Sequence, residues 1–323
     1  MCLAVERRQE ALGLLDSVGR RDDEIESHGL TLTPVPLVSV LMSVLNDAAF
    51  VGEAVESVLG QTIDDFELLV VDDGSSDATP DVLARIADSR LTVLRNDSVL
   101  GLAASLNRGL DAAQGRYVAR LDADDVALPE RLGRQVERLR ARPAVAAVGS
   151  AVTDVDEQGR RGRTHVMPQG ARMLRWQALF SSPFFHPTVL VDRNVLDAHG
   201  LRYDPSYAES EDYDLWTRLF GFADGDNLPE PLVLKRVHAA QASQRRGELQ
   251  QSFQQRVALR EIARIAPHVD AERAWRVGAR KRAPLGARRE FLRLLAAFER
   301  RHGRDPAVRR AAFRALASPR RRA

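Results

Sequence analysis

Short apolar runs alternate with helical patterns between residues 38 and 121, and this alternation constrains the fold more than any other feature. The apolar runs predict four strands, at residues 38–44, 66–71, 91–94 and 117–121. The patterns between them predict three helices, at residues 49–59, 80–87 and 102–113. Strands that alternate with helices in this way form mostly parallel sheets with right-handed crossovers. We therefore expect a Rossmann-like α/β fold, with a mostly parallel central sheet flanked by helices.

The rest of the chain is less regular. Further helices are predicted at 129–140, 173–180 and 212–220, and further strands at 146–153, 188–191 and 232–237, the last as an edge strand. A weakly amphipathic helix is expected over 8–18, and beyond residue 244 a helical pattern is broken near Pro267, Pro284 and Pro306. We therefore predict an N-terminal extension (1–34), an α/β domain (35–244) and a helical C-terminal extension (245–323).

Charge is distributed unevenly, although the net charge is only +2. Residues 245–323 carry 22 Lys and Arg against 7 Asp and Glu. Such a basic region can face an anionic membrane, bind nucleic acid or pair with the acidic body. We expect no nucleic acid, because aromatic residues are sparse there and no recognised motif is present.

Two interpretations of the basic region remain open. The first is peripheral contact with the inner face of the membrane, suggested by arginines at 280–282, 288–289, 300–301, 309–310 and 320–322 beside Phe291, Leu294, Leu295 and Phe298. The second is an ordinary helical subdomain with a solvated arginine face.

The single cysteine, Cys2, excludes a disulfide framework and a Cys-based zinc site and suits a reducing compartment. Because no apolar run is long enough to span a bilayer and residues 1–30 lack the apolar core of a signal peptide, we expect a cytoplasmic protein.

Three carboxylates stand at the end of the fourth predicted strand, in the run Leu121-Asp122-Ala123-Asp124-Asp125. Open α/β sheets bind ligands at this carboxyl edge. Carboxylates this close repel one another unless a cation neutralises them, and a hard divalent ion that holds substrate phosphates would do so. The alternative is an acidic turn that caps the helix starting near Pro129.

The first two strands also end in polar residues. The first runs into the segment from Ser43 to Asp47, and the second into Asp72-Asp73-Gly74-Ser75, where Gly and Ser permit a tight turn with exposed backbone N–H groups. Because the carboxyl ends of parallel strands meet at one edge, the three loops are expected to converge. The sequence therefore predicts a nucleotide and metal site at this edge.

Nine segments in order resemble family 2 glycosyltransferases with the GT-A fold. The first six are 36–46 (PLVSVLMSVLN), 54–62 (AVESVLGQT), 66–77 (FELLVVDDGSSD), 100–109 (LGLAASLNRG), 115–125 (GRYVARLDADD) and 129–132 (PERL). The later three, similar to acceptor-side motifs of the family, are 185–188 (FHPT), 211–216 (EDYDLW) and 236–243 (RVHAAQAS). The resemblance covers about residues 36–244.

The resemblance implies transfer of a sugar from a nucleotide-activated donor, with a UDP-sugar expected, to a glycan or lipid-linked acceptor. It implies inversion at the anomeric carbon, help from Mg²⁺ or Mn²⁺, and a role in cell-surface glycan or polysaccharide biosynthesis. By position, the resemblance places Ser43, Leu45 and Asp73 at the donor base, and Asn107 and Arg108 at the base and ribose. It places Asp122 and Asp124 at the ribose and diphosphate, Asp124 and Asp125 at the metal, and Arg236 and His238 near the diphosphate. Asp212 is implied as the general base, with Glu211 beside it.

Two departures from the family pattern bear on the donor base: Leu45 stands where an aromatic residue is common, and Ser43 replaces the usual Pro or Thr. Two other functions compete with transfer, namely a nucleotide-sugar binding module without catalysis and a nucleotidyltransferase. Retention of the Asp residues argues against the first, and the absence of a Gly-rich basic loop after the first strand argues against the second. Without the motif order, Glu211 and Asp212 would be interpreted as a helix cap, and His186 is either a substrate contact or a packed imidazole.

Overall fold

The computed structural model describes residues 35–238 and 247–317, so the helix expected over 8–18 and the arginines at 320–322 lie outside the described residues. The strands are β1 Val38–Val44, β2 Phe66–Asp72, β3 Leu91–Arg95, β4 Tyr117–Arg120, β5 Val126–Ala127, β6 Val145–Val155, β7 Arg161–His165, β8 Leu190–Asp192 and β9 Asp224–Arg236. The helices of the α/β body are α1 Val51–Leu59, α2 Thr79–Ala84, α3 Leu102–Ala112, α4 Arg131–Ala141, α5 Ala171–Gln177, α6 Arg193–Ala198 and α7 Glu211–Leu219. Four more follow, α8 Gly247–Ile265, α9 Ala271–Gly278, α10 Ala287–His302 and α11 Pro306–Ala317.

The strands form one sheet in the order β3-β2-β1-β4-β8-β6-β9-β5, with β7 paired to β6 beside this path. Strands β1 to β4 are mutually parallel, and β6 and β9 are also parallel to each other. The short β8 runs antiparallel between β4 and β6. The expected α/β fold with a mostly parallel central sheet is therefore confirmed.

The sequence of strand β1 is mostly apolar because both faces of the sheet are covered. Successive side chains alternate between the faces: Val40 and Met42 join one core with α1 and α4, and Leu41 joins the other with α3, α5 and α7. Where β4 begins, a Cβ on Gly115 would lie 2.4 Å from the backbone nitrogen of Ser39, so only glycine permits this close approach. The result is three layers, with helices on both faces.

The C-terminal helices share a hydrophobic core with the α/β body. Trp176 of α5 makes edge contacts with Phe291 and Phe298 of α10, with ring centroids 5.7 and 5.1 Å apart. Phe291 and Phe298 are both fully buried in this core, which also includes residues of α7 and α8. The four apolar side chains at 291, 294, 295 and 298 therefore do not supply a membrane-facing surface, contrary to the first interpretation of the basic region.

Other features also differ from the sequence expectation. The strand predicted at 232–237 as an edge begins eight residues earlier, at Asp224, and lies between β6 and β5. The start of this strand contains Asp224 and Asp226, so its sequence lacks the apolar pattern that would have predicted it. Asp226 is buried there because it pairs with the guanidinium groups of Arg138 and Arg142. The hairpin strand β7 and the short α6 were not predicted. None of the helices in the described ranges is long and apolar enough to cross a membrane.

We predict that Phe298→Ala lowers the free energy of unfolding of the whole chain by about 3–5 kcal/mol, since it leaves a cavity in the shared core. The matched control is Phe313→Ala on α11, whose side chain is 58 % exposed and whose loss should change the free energy by less than about 0.5 kcal/mol. Urea unfolding followed by far- and near-UV circular dichroism measures both. A separate transition for the C-terminal helices, with the body unaffected, would contradict the shared core.

Candidate active site

The loops that follow β1 and β2 are joined by side-chain hydrogen bonds. The carbonyl oxygen of the Asn46 side chain accepts from the backbone N–H of Ser76 at 2.8 Å, and the Ser75 hydroxyl accepts from the N–H of Asn46 at 2.9 Å. Asn46 adopts φ 53°, a left-handed conformation that asparagine tolerates better than most residues. The Thr79 hydroxyl accepts from the N–H of Asp47, which completes the connection.

The three carboxylates after β4 meet in one cluster. Each of Asp122, Asp124 and Asp125 offers one oxygen, and the three oxygens lie within 4.8 Å of one another. The capping alternative is wrong, because α4 begins only at Arg131 with Glu130 as its N-cap. Burial, with repulsion from the other carboxylates, raises the pKa of Asp125 well above its usual value.

Strand β9 brings Arg236 to this cluster. Its backbone N–H donates to Asp125 Oδ1 at 2.8 Å, and its guanidinium donates to the backbone oxygen of Asp124 at 2.9 Å. The same guanidinium pairs with Glu53 at 2.6 Å and lies 4.6 Å from the ring centroid of Phe50. The arginine thus fixes the backbone that carries the cluster.

His238 lies at the open side of the cluster. Its Nε2 is 3.0 Å from Asp124 Oδ2, and its ring packs on Phe50 at 5.1 Å between centroids. Arg236 and His238 are therefore both placed at the carboxylates, and their proposed closeness to a diphosphate stays a prediction.

A buried cation, Arg120, lies behind the cluster. Its guanidinium pairs with Asp122, and its side chain is almost inaccessible to solvent. A second buried arginine, Arg131, donates to the backbone oxygen of Arg120 at 2.5 Å, and burial lowers the pKa of Arg131 to about 9. We did not identify Arg120 from the sequence, although an arginine within an apolar strand is itself a signal.

Asp212 lies in the first turn of α7, after the N-cap Ser210. Burial raises its pKa to about 6, although hydrogen bonds from the Tyr213 N–H and the Ser182 hydroxyl, the latter at 3.3 Å, act in the opposite direction. The effect of desolvation on this pKa exceeds that of the hydrogen bonds, yet a pKa of about 6 leaves Asp212 mostly ionised at pH 7. Arg120 and Asp122 both act electrostatically on Asp212, so the base candidate and the acidic cluster belong to one site.

Glu211, beside Asp212, is also buried. Desolvation and the charge of Asp212 raise its pKa to about 7. His186 is a packed imidazole in this structure: its Nε2 is 3.0 Å from the Tyr203 hydroxyl, its ring contacts Trp216, and burial holds its pKa well below the usual value.

The residues predicted to bind the base line the other side of the sheet edge. Leu45 is 43 % exposed and Ser43 is partly exposed. The Asp73 carboxylate accepts hydrogen bonds from the N–H groups of Leu100 and Gly101, at 2.9 and 2.8 Å, so it holds the loop before α3 in place. Burial alone would raise the pKa of Asp73, but the hydrogen bonds that the carboxylate accepts outweigh this effect, so its pKa is lowered.

Asn107 and Arg108 point to different neighbours. Asn107 exchanges two hydrogen bonds with the backbone of Tyr203, at 2.8 and 2.9 Å. Arg108 donates to the backbone oxygen of Arg95 at 2.7 Å and to the side chain of Asn96, which in turn donates to Asp73. The structure therefore brings Arg108, and not Asn107, into contact with the Asp73 network; the roles of both at base and ribose stay predictions.

Asp47 is a site residue that sequence reasoning missed. Burial and the nearby charge of Asp124 raise its pKa to about 6. The Asp47 carboxylate interacts electrostatically with Asp124 and His238, so the loop after β1 lies close to the loop after β4. The convergence expected at the sheet edge is thus present, and the polar segment after β1 was the available signal.

The cluster fits a divalent metal ion. Oxygen ligands are what Mg²⁺ and Mn²⁺ prefer, and the second oxygen of Asp125, Oδ2, is buried with no hydrogen-bond partner among the described residues. Buried polar atoms are normally satisfied, so this orphaned oxygen supports a ligand at the cluster. Asp124 and Asp125, chosen as metal ligands from the sequence, both belong to the cluster, and Asp122 completes it.

Comparison with known proteins identifies relatives of the chain. The sequence model described as "Glycosyl transferase family 2" matches residues 39–200. An uncharacterized glycosyltransferase of Haemophilus influenzae is 32% identical over 218 residues, which is 64% of this chain and 68% of the relative. The Escherichia coli UDP-Glc:alpha-D-GlcNAc-diphosphoundecaprenol beta-1,3-glucosyltransferase WfaP is 29% identical over 64% of this chain and 80% of its own length.

Two solved structures share the fold. Residues 1–349 of S. aureus TarS, in complex with UDP-GlcNAc, superpose with a TM-score of 0.60 over 87% of each chain at 17% identity. The mannosyltransferase PcManGT from Pyrobaculum calidifontis, in complex with GDP-Man and Mn²⁺, superposes with a TM-score of 0.55 over 88% of this chain and 81% of its own at 20% identity. At these identities the likeness shows the fold, and the expected GT-A fold is confirmed.

We predict that Mn²⁺ raises the melting temperature of the protein, because a bound cation relieves repulsion within the Asp122–Asp125 cluster. At a free Mn²⁺ concentration of 100 times Kd the stabilisation is about 2.7 kcal/mol. Asp124→Asn should abolish most of the shift, and Asp97→Asn, which removes an exposed carboxylate elsewhere, should preserve it. Differential scanning calorimetry in MnCl₂, compared with NaCl of equal ionic strength, measures the shift; equal shifts in both variants would contradict the metal site.

Proposed function

The chain belongs to glycosyltransferase family 2, and we propose on that premise that it transfers a sugar from a nucleotide-activated donor, with a UDP-sugar expected, to an acceptor hydroxyl with inversion. The observation that carries this proposal is the joint placement of the Asp122–Asp125 cluster and Asp212 around the buried cation Arg120. The chain is a glycosyltransferase of glycan biosynthesis by its family and relatives. That Asp212 and the cluster are both present supports turnover over the alternative of a binding module without catalysis.

The donor side needs groups that favour a departing diphosphate. Asp122, Asp124 and Asp125 would hold Mg²⁺ or Mn²⁺, which when bound acts as a Lewis acid toward phosphate oxygens. Arg236 and His238 stand at the same cluster and would orient the diphosphate. Asp73 holds the loop at Leu100 and Gly101, and that loop with Ser43 and Leu45 would receive the base.

The acceptor side needs a base. Inversion requires the acceptor oxygen to approach the anomeric carbon opposite the leaving diphosphate, so a carboxylate separate from the metal cluster must take the proton. Asp212 suits this role because its raised pKa, about 6, makes it a better proton acceptor than an ordinary aspartate while it stays mostly ionised at pH 7. The Ser182 hydroxyl, 3.3 Å away, would orient it.

The proposed acceptor is a glycan or a lipid-linked saccharide of a surface polysaccharide pathway. The name of WfaP specifies a diphosphoundecaprenol-linked sugar as its acceptor, and its similarity to this chain supports the same general class here.

We predict that nucleotide-sugars with Mn²⁺ or Mg²⁺ release nucleoside diphosphate in the presence of the protein and an acceptor mixture, and that Asp212→Asn lowers this rate by at least about 10²-fold. Because Asp212 acts in its ionised form, the rate should fall about tenfold per pH unit below its pKa of about 6. Ser182→Ala removes a hydrogen bond that lowers this pKa, so its acid limb should lie at higher pH. A donor screen scored by diphosphate release measures the rates.

The control for this experiment is Asp64→Asn, which removes a fully exposed carboxylate before β2 and should leave both rate and pH profile unchanged. A pH profile that does not respond to Ser182→Ala would remove Asp212 from the role of base. Tight UDP binding with no turnover on any donor would favour the binding module.

We also propose that the enzyme is cytoplasmic and makes peripheral contact with anionic membrane lipid. The surface that supports it differs from the one first inferred: Leu285, 93 % exposed, precedes α10, and Leu292 is exposed on that helix with Arg288 and Arg289 on the preceding turn. Apolar side chains flanked by arginines are suited to an anionic interface.

We predict that vesicles with anionic lipid carry the protein upward in flotation and that the double substitution Leu285→Ser and Leu292→Ser reduces the floated fraction severalfold. Val166→Ser, which changes an exposed apolar residue of the α/β body, is the control. Failure of the wild-type protein to float would remove the proposal.

A further inference from the structure

A cavity of about 810 Å³ lies among the C-terminal helices, apart from the sheet-edge site. Helices α5, α8, α9, α10 and α11 all contribute to its lining. Its volume is within the range of small-ligand sites in proteins, about 300–1,000 Å³. No residue with a role proposed above lines it.

The apolar wall of the cavity is closely packed. Trp176, Phe180 and Phe291 form a contact cluster, with Trp176 5.1 Å from Phe180 and 5.7 Å from Phe291 between ring centroids. On the facing side, a Cβ on Gly278 would lie 2.1 Å from the Phe180 ring, so α9 and the end of α5 are closely packed. The cavity is therefore formed before any ligand binds, which limits the entropy lost on binding.

The polar wall carries side chains that the protein does not use. Gln254 and Gln255 of α8 make no side-chain hydrogen bond within the described ranges, and neither does Gln251. The indole N–H of Trp275, on the same wall and 9 % exposed as a residue, is buried without a partner there. Amides and an indole N–H together offer hydrogen bonds to an oxygen-rich ligand.

The rim of the cavity is cationic. Arg280, Lys281 and Arg282 are exposed and form no ion pair with any described residue, whereas Arg276 is neutralised by Glu272 at 2.7 Å. One acidic residue, Glu248, also lines the cavity, so the rim keeps an excess of positive charge. Lysine and arginine only donate hydrogen bonds, and this excess therefore selects a ligand with negative charge.

The cavity adjoins the proposed general base. Ser181 lines it, and the next residue, Ser182, donates to Asp212. Because consecutive Cα atoms are about 3.8 Å apart, one short segment carries both a residue of the cavity lining and the residue that contacts Asp212. Helix α8, which carries the amides, also lies against the start of α7, since the hydroxyl oxygen of Ser210, the N-cap of α7, is 3.4 Å from the backbone oxygen of Gln250.

We propose that this cavity binds the inner part of the acceptor, and that the acceptor is a saccharide bearing negative charge. The inference rests on the proposed function, since it takes Asp212 as the base that receives the terminal hydroxyl. The partly exposed ring of Phe180 covers an apolar face of a sugar ring, the glutamine amides contact the hydroxyls, and Arg280, Lys281 and Arg282 hold the charge. That charge comes either from a sugar carboxylate or from a phosphate at the reducing end.

Isothermal titration calorimetry on the full chain, with UDP and Mn²⁺ present at saturation to occupy the donor site, tests the proposal. The probes are tetragalacturonate for the carboxylate source, maltose 1-phosphate for the phosphate source and maltotetraose as a neutral reference. The proposal expects one of the charged probes to bind at least tenfold more tightly than maltotetraose. Whichever charged probe binds identifies the source of the charge.

Two variants locate the binding. Lys281→Glu with Arg282→Glu should lower the affinity for the charged probe at least tenfold, and Gln255→Leu should lower it severalfold. The matched control, Arg289→Glu with Arg300→Glu, makes the same charge change at two exposed arginines of α10 that do not line the cavity, and it should bind as the wild type does.

The outcomes separate this inference from the proposed function. If the protein binds UDP and turns over a nucleotide-sugar but binds neither charged probe better than maltotetraose, the inference fails and the proposed function stands. Equal loss in the cavity and control variants means general attraction to a basic surface, and this also overturns the inference. Failure to bind UDP or turn over any donor is a failure of the proposed function itself.

Discussion

The buried guanidinium of Arg120 is the charge on which the acidic half of the site depends. Burial raises the pKa values of Asp122, Asp125, Glu211 and Asp212, and for each of them Arg120 acts in the opposite direction. Without these carboxylates the arginine would itself be an uncompensated buried charge, which is strongly unfavourable. The base candidate and the acidic cluster therefore share one electrostatic balance, and a change on either side alters the ionisation of the other.

Much of this arrangement was accessible from the sequence. The strands β1 to β4 were predicted to within one residue at each end, because their apolar runs are bounded by turn residues and buried on both faces. The position of the Asp122–Asp125 cluster at the carboxyl edge of the sheet was predicted because the cluster directly follows the fourth predicted strand. By contrast, Arg120 and Asp47 were missed because their importance comes from burial beside other charges, and burial is a property of the tertiary structure.

The parts that escaped prediction depend on contacts distant in sequence. Arg236 meets Asp125 across 111 positions, and this contact needs β9 to pair with β5, the two-residue strand that directly follows Asp125. The polar start of β9 is stabilised by buried ion pairs to Asp226, so the usual apolar signal of an interior strand is absent. The shared core of α5 and α10 is likewise invisible to periodicity, which shows that a helix has an apolar face but not which partner covers it.

The division of the interior into two cores has a spectroscopic consequence. The chain contains three tryptophans, and all of them, Trp176, Trp216 and Trp275, lie in the core on the side of α5, α7 and the C-terminal helices. The core beneath α1 and α4 holds none. Intrinsic tryptophan emission therefore reports on one half of the molecule alone, and a tryptophan introduced at Phe66, in the other core, would give that half its own optical signal.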